Sequence, residues 1–198
     1  MTKKVVTITF EGIDGSGKET QSKKLFDYFN NQGLKSTLIT FPDYSTKLGG
    51  FIKDSLQDKT FDKYALQMLF SADRIRQMPT ILTNINDLDY AILDRYKWSG
   101  LVYGIARGLN ESWVKNLEHI LPDPDITFYV DIPVEVSLHR TKASDILESD
   151  KELLTKCRNK YLEMANSLNW QILNGTENIE IIHNKVIETI NEFHRLPI

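Results

Sequence analysis

The sequence predicts an α/β protein: a parallel sheet of about five strands in a three-layer arrangement, flanked by helices and carrying a short lid. Three observations point there. Strand-like and helix-like segments alternate from one end of the chain to the other. The first strand-like segment, Val5 to Phe10, is short, β-branched and apolar, as a parallel strand buried on both faces should be. A glycine-rich turn stands between the first strand and the first helix.

In order, Val5 to Phe10 reads as a buried strand. Thr20 to Gln32 carries Leu25, Tyr28 and Phe29 on one helical face and stops at Gly33, a good C-terminal cap. Leu34 to Phe41 returns to strand and ends at Pro42, which makes a βαβ unit with a right-handed crossover. Phe61 to Asn84 reads as a long helical region, interrupted or kinked near Pro79. Tyr90 to Leu93 is a short strand ending at Asp94. Trp113 to Ile120 is helical, and Pro122 and Pro124 close the connection to a strand over Ile126 to Ile132. Val134 to Thr141 and Lys151 to Asn166 are helical, separated by a polar, charged interval. Trp170 to Leu173 is the last core strand and Lys185 to Phe193 a closing helix. With no repeat, linker or low-complexity tract, residues 1–198 are expected to form one domain.

Composition narrows the function. The chain has 198 residues and a formal net charge of -3, which argues against a general nucleic-acid or membrane binder, since both want a basic surface. A single cysteine, Cys157, allows no intrachain disulfide and sits in a helix-like stretch as a packing residue. The apolar run at the N-terminus breaks at Glu11, too early for a membrane span, so the cytoplasm is the expected compartment.

Gly12, Ile13, Asp14, Gly15, Ser16, Gly17 and Lys18 match G-x-x-x-x-G-K between strand and helix, the phosphate-binding loop of P-loop nucleotide-binding proteins. Glycines let backbone N–H groups curl around phosphate oxygens, the helix N-terminus adds its positive end, and Lys18 reaches the β- and γ-phosphates. The next position ordinarily carries a hydroxyl for Mg²⁺. Here it is Glu19, followed by Thr20. Glu19 is either a first-turn carboxylate favoured by the helix dipole or a direct or water-mediated Mg²⁺ ligand.

A GTPase switch should carry N/T-K-x-D, but Asn184-Lys185-Val186-Ile187 lacks the Asp, and no D-x-x-G follows the loop. A motor ATPase needs further domains. A small-molecule kinase gains from Asp94-Arg95-Tyr96 at the end of a strand, where ligands bind in open parallel sheets. An Asp there can hold Mg²⁺ or its waters, and an Arg can bridge phosphates.

Beyond the loop, the chain resembles the thymidylate kinases over nearly its whole length. The matching pieces are Phe10-Glu11-Gly12-Ile13-Asp14, Phe41-Pro42, Leu69-Phe70-Ser71-Ala72-Asp73-Arg74, Asp94-Arg95-Tyr96 with Ser99-Gly100, Trp113, Leu121-Pro122-Asp123-Pro124-Asp125, and Arg140 opening the lid. The resemblance implies phosphoryl transfer from Mg·ATP to dTMP, with ATP and dTMP as small-molecule partners, Mg²⁺ as cofactor and a homodimer formed through Tyr64 to Ile75. It implies that Asp14 accepts from the deoxyribose 3′-hydroxyl, Phe70 stacks on thymine and Arg74 donates to its O4. Arg95 contacts the acceptor phosphate, Asp94 assists through Mg²⁺ or the acceptor, Phe41, Ser99 and Tyr103 line the acceptor pocket, and Arg140 packs on adenine. A lid over about 141–151 closes over the site.

The chain departs from the family pattern at several positions. Tyr44 stands where some members carry an Arg aimed at the acceptor phosphate, and Gly104 where Gln or Thr often helps read the base or sugar. Gly15 replaces a loop Arg found in one subclass, which turns attention to Lys142 in the lid, while Ile146 occupies a second lid-Arg position. The alternatives are a kinase for another pyrimidine deoxynucleotide such as dUMP, and a non-catalytic nucleotide-binding module. Retention of Lys18, Arg95 and Arg140 argues against the second.

Overall fold

A computed structural model of the chain describes residues 5–58, 61–83, 88–141 and 150–195, with the backbone alone at 79–83. The element order is β1 (Val6–Glu11), α1 (Lys18–Asn31), β2 (Ser36–Thr40), α2 (Lys47–Asp58), α3 (Lys63–Thr83), β3 (Tyr90–Asp94) and α4 (Lys97–Ala106). Then follow α5 (Glu111–Glu118), β4 (Ile126–Asp131), α6 (Val134–Arg140), α7 (Lys151–Ser167), β5 (Gln171–Asn174) and α8 (Ile179–Arg195). The five strands form one sheet in the order β2-β3-β1-β4-β5. Every pairing is parallel, with Phe10 opposite both Asp94 and Phe128, and Thr40 opposite Asp94.

Strand period two sorts side chains to the faces. Ile8, Phe10, Ile92, Phe128, Val130 and Leu173 point to one side, where they pack with Leu25 and Phe29 of α1 and Ile182, Val186 and Ile190 of α8. Ala91 and Leu93 point to the other, with Phe41, Met78 and Tyr96. Tyr129 joins a third cluster with Val102, Val114, Leu154, Cys157 and Tyr161, from α4, α5 and α7. The connection after β1 leads to one side of the sheet and that after β3 to the other. A crevice therefore opens between the carboxyl ends of these two neighbours.

The strands fall where the sequence puts them, and Gly33 ends α1 in the left-handed conformation, with Leu34 N–H returning to the Phe29 carbonyl at 3.0 Å. Three differences have physical reasons. The interruption near Pro79 does not occur: α3 is one element from Lys63 to Thr83. A mid-helix proline costs about 3 kcal/mol or more, and burial of the helix face around Met78, 4% exposed, outweighs it. Helices α2 and α4 have no counterpart in the sequence reading because each contains two glycines, Gly49 and Gly50 or Gly100 and Gly104, which depress helix propensity. Helix α8 begins at Ile179, well before Lys185, because the Asn178 side chain accepts from Glu180 N–H at 2.8 Å and caps it. Among the described residues, no helix is long and apolar enough to cross a membrane.

The two glycines of α2 differ in purpose. A Cβ on Gly49 would lie 1.8 Å from the Asp43 carbonyl oxygen, so α2 packs there directly on backbone, whereas a Cβ on Gly50 meets nothing within 4 Å. Gly49→Ala is expected to destabilise by about 1–3 kcal/mol or more, and Gly50→Ala to stabilise by about 0.5–1 kcal/mol. Thermal unfolding checks this: the two melting temperatures should move in opposite directions from the wild type.

Candidate active site

The loop between β1 and α1 is shaped by its glycines. Gly12 has φ 154° and faces the Val130 carbonyl and Ser16 so closely that a Cβ would lie 2.7 Å from the former. Gly17 caps α1 in the left-handed conformation, φ 96°, which frees the first-turn N–H groups of the helix. Lys18 is buried and folds back, its Nζ 3.4 Å from the Ile13 carbonyl and 3.9 Å from Asp14. Burial, then the nearby Arg95, pushes its ammonium below the ordinary lysine value, while Asp14 and Asp94 work against this.

Across the crevice, β3 ends at Asp94 and the chain turns at Arg95 with φ 65°, a left-handed backbone at a non-glycine residue that costs about 1–3 kcal/mol unless its surroundings hold it. They do. The buried Glu11 carboxylate accepts from Tyr96 N–H at 2.9 Å, from Ser99 Oγ at 2.5 Å and from Tyr161 Oη at 3.1 Å. Arg95 Nη1 donates to the Gly12 carbonyl at 3.1 Å and to Ser99 Oγ at 3.3 Å, and Nη2 pairs with Asp14. Burial raises the Glu11 carboxyl, and its Ser99 hydrogen bond and Arg95 offset part of that rise. Burial would raise Asp14 too, but Arg95 and Lys18 together bring it below the usual carboxylate range.

One cavity of about 610 Å³ joins these parts, lined among others by Asp14, Lys18, Phe41, Phe70, Asp94 and Arg95. Ser99, Tyr103, Arg140 and Glu19 also line it. The lining holds Lys18, Arg74, Arg95, Arg107 and Arg140 against Asp14, Glu19 and Asp94, a basic excess inside a chain whose net charge is -3. Such a cavity attracts an anion. Thr20 lies on the exposed first turn of α1 outside this lining. Arg140 Nη1 donates to the carbonyls of Gly15, 3.3 Å, and Gly175, 3.0 Å, which fixes the plane of its guanidinium beside the loop. Lys142 and Ile146 lie outside the described residues, as does most of the lid region. Asp150, at its far end, caps α7.

Asp94 Oδ1 is buried with no hydrogen-bond partner among the described residues, and burial raises the Asp94 carboxyl while Lys18 and Arg95 hold it back. An unpartnered buried carboxylate oxygen beside a phosphate-binding loop is a fitting donor for a hard cation such as Mg²⁺ or its waters. Among the described residues, no group of three or more His, Cys, Asp or Glu could hold a metal by itself. A cation here would take its remaining oxygens from phosphates and water. Cys157 is fully buried and burial pushes its thiol up to about 12, which makes it a packing residue.

Phe70 is part-buried and lies in the cavity wall, with the Arg107 guanidinium 5.8 Å from its ring centroid. Arg74, 3% exposed, is held by Glu118: its Nε donates to Oε2 at 3.1 Å and its Nη2 to Oε1. Ser71 Oγ donates to the same Oε1 at 2.6 Å and Gln67 Nε2 at 3.3 Å. Gly100 makes room, since a Cβ there would lie 2.4 Å from Arg74 Nη2 and 2.5 Å from Glu118 Oε1. Sequence reasoning passed over Glu118, Gln67, Arg107 and the support role of Glu11. The one local signal was a polar stripe, Gln67, Ser71 and Arg74, at helical spacing on α3. Glu118→Leu is expected to cost about 3–5 kcal/mol by stranding a buried guanidinium, and the double replacement Arg74→Met with Glu118→Leu to regain most of it. Urea unfolding of the three proteins checks this, and a double variant as unstable as the single would contradict it.

Comparisons with known proteins identify the family and the fold. The family model described as thymidylate kinase matches residues 10–186. A probable thymidylate kinase of Methanocaldococcus jannaschii is 35% identical over 182 residues, covering 91% of this chain and 93% of that protein. The thymidylate kinase of Dictyostelium discoideum is 32% identical over 201 residues, covering 100% and 90%. The solved thymidylate kinase of Candida albicans superposes with a TM-score of 0.80 at 28% identity, covering 98% of this chain and 96% of that one. By sequence over nearly its full length and by fold, the chain belongs to the thymidylate kinase family.

Proposed function

We propose that the protein transfers the γ-phosphoryl group of ATP to the 5′-phosphate of dTMP, giving dTDP and ADP. The observation that carries this is the convergence of the phosphate-binding loop with Phe70, Arg74 and Arg95 on one basic cavity. Backbone N–H groups between Gly12 and Thr20, with Lys18, grip the donor phosphates, and the fixed guanidinium plane of Arg140 packs on adenine. Phe70 stacks on the base, Arg74 donates to O4, and Asp14 accepts from the 3′-hydroxyl with the carboxylate oxygen turned from Arg95. Arg95 holds the acceptor phosphate opposite the γ-phosphoryl group, with Ser99, Tyr103 and Phe41 closing the pocket. Asp94 holds Mg²⁺ or its waters, assisted by Glu19, which faces the cavity where Thr20 does not. Mg²⁺, when bound there, would supply neutralisation of the charge that develops on the phosphates during transfer.

Among the described residues the cavity offers no activated protein nucleophile, and the reaction needs no strong base. Catalysis is in-line positioning and charge neutralisation of a loose transition state. Lys142 supplies lid charge in this reading. Exposed Tyr64 and Met68 on α3, 39% and 50%, suit that helix to a homodimer contact. A lone buried thiol suits the reducing cytoplasm.

Incubation with ATP, Mg²⁺ and a panel of dTMP, dUMP, dCMP and dGMP is expected to release ADP with the highest kcat/KM for dTMP. Lys18→Met should lower kcat by roughly a hundredfold to a thousandfold. Asp94→Asn should raise the Mg²⁺ concentration needed for half-maximal rate. No ADP release with any acceptor would remove the kinase assignment.

A further inference from the structure

Gln67 lies two helical turns before Arg74 on α3 and lines the same cavity, although only 2% of its surface is exposed. Its amide nitrogen donates to the Gly100 carbonyl at 3.0 Å and to Glu118 Oε1 at 3.3 Å. Two acceptors on one side fix which way the amide faces, because the flipped group would set its own oxygen against both. The carbonyl Oε1 is thereby turned away from Glu118. It reaches over the opening left on α4 by Gly104, where an added Cβ would lie 3.0 Å from it. Nothing among the described residues donates to this oxygen, and it is open to the cavity rather than sealed in the core.

Arg74 presents the opposite pole. Its Nε and Nη2 are taken by Glu118 and Ser71, while among the described residues Nη1 donates to no protein acceptor. Gln67 Nε2 and Arg74 Nη2 bond the same Glu118 oxygen, so the two side chains are neighbours in the cavity lining, each with one polar atom left over. A donor and an acceptor offered by neighbouring side chains suit an imide edge, in which a carbonyl oxygen stands next to a ring N–H. A cytosine edge offers an amino group next to an unprotonated ring nitrogen, and would set donor against donor and acceptor against acceptor.

We propose that Gln67 is a specificity-determining residue for the pyrimidine acceptor, its Oε1 accepting the ring N3–H while Arg74 donates to the neighbouring O4. The assignment rests on the reading of the acceptor as dTMP.

The test crosses two ligands with two proteins, read by calorimetric binding. The ligands are dTMP and N3-methyl-dTMP, which lacks the N–H. The proteins are the wild type and Gln67→Ala, which lacks the acceptor and opens room for the methyl group. Wild type should bind N3-methyl-dTMP at least about tenfold more weakly than dTMP, the loss of one buried hydrogen bond. Gln67→Ala should bind dTMP weaker by a similar factor, yet hold N3-methyl-dTMP as tightly as the wild type does or more tightly. Wild-type binding of the two ligands within twofold of each other, or an equal loss of both on Gln67→Ala, would overturn the assignment. Gln67→Ser takes the place of Gln67→Ala if circular dichroism shows the latter unfolded, and the wild-type comparison stands by itself. Turnover of dTMP with an equal loss of both ligands would remove Gln67 from base reading and leave the kinase. The expected pattern of binding without turnover would do the reverse.

Discussion

The buried carboxylate of Glu11 is the point on which the rest of the site hangs. It sits at the end of the central strand and accepts from the turn after β3, from α4 and from α7. A carboxylate taken out of water is expensive to leave unpaired, so these donors must stay where they are for it to remain there. One of them, Tyr96 N–H, comes from the residue after Arg95, and that contact holds Arg95 in its left-handed backbone. With the backbone so held, the guanidinium reaches back to the Gly12 carbonyl and to Asp14. The glycine-rich loop after β1 and the arginine across the crevice from it are thus joined through a single buried anion.

A second polar cage, around Glu118, is built on the same principle at the other end of the cavity. Gln67, Ser71 and Arg74 all donate to Glu118 in a space that α4 leaves open by carrying glycine at 100. Glycine in a helix interior weakens the helix by about 0.5–1 kcal/mol relative to alanine. In α4 that loss is accepted at Gly100 and Gly104, the two places where α3 side chains must approach closely. The irregular composition of the helix therefore follows from what it must face.

This trade explains what the sequence made legible and what it did not. The strands and the phosphate-binding loop were readable because their signals are local: an apolar run, a turn with obligatory glycines and a helix start stand in one continuous stretch. Helices α2 and α4 were not: Gly100 and Gly104 answer to contacts with Arg74, Glu118 and Gln67 that no short window along the chain contains, and the paired glycines of α2 depress its propensity although Gly49 is there to pack on the backbone of Asp43. Arg74 and Arg95 were legible as arginines in a recognisable order. That Arg74 is paired to Glu118, more than forty residues away, was invisible, since a pairing across helices leaves no trace in spacing. Gln67 was passed over for the same reason, as a polar residue on a long helix ordinarily faces water.

The two cages also explain why these positions carry arginine rather than lysine. Arg95 uses Nη1 and Nη2 on Gly12, Ser99 and Asp14, and Arg74 uses Nε and Nη2 on Glu118 and Ser71. A lysine offers one rotatable point charge and would have to choose between a protein partner and a ligand. A guanidinium can give some of its N–H groups to the protein, which locks its plane, and keep the others at a fixed angle for an incoming oxygen. The fixed charge is then already aimed before any nucleotide arrives, and less ordering remains to oppose binding. In both cages the protein partners of the guanidinium, rather than a ligand, set its orientation.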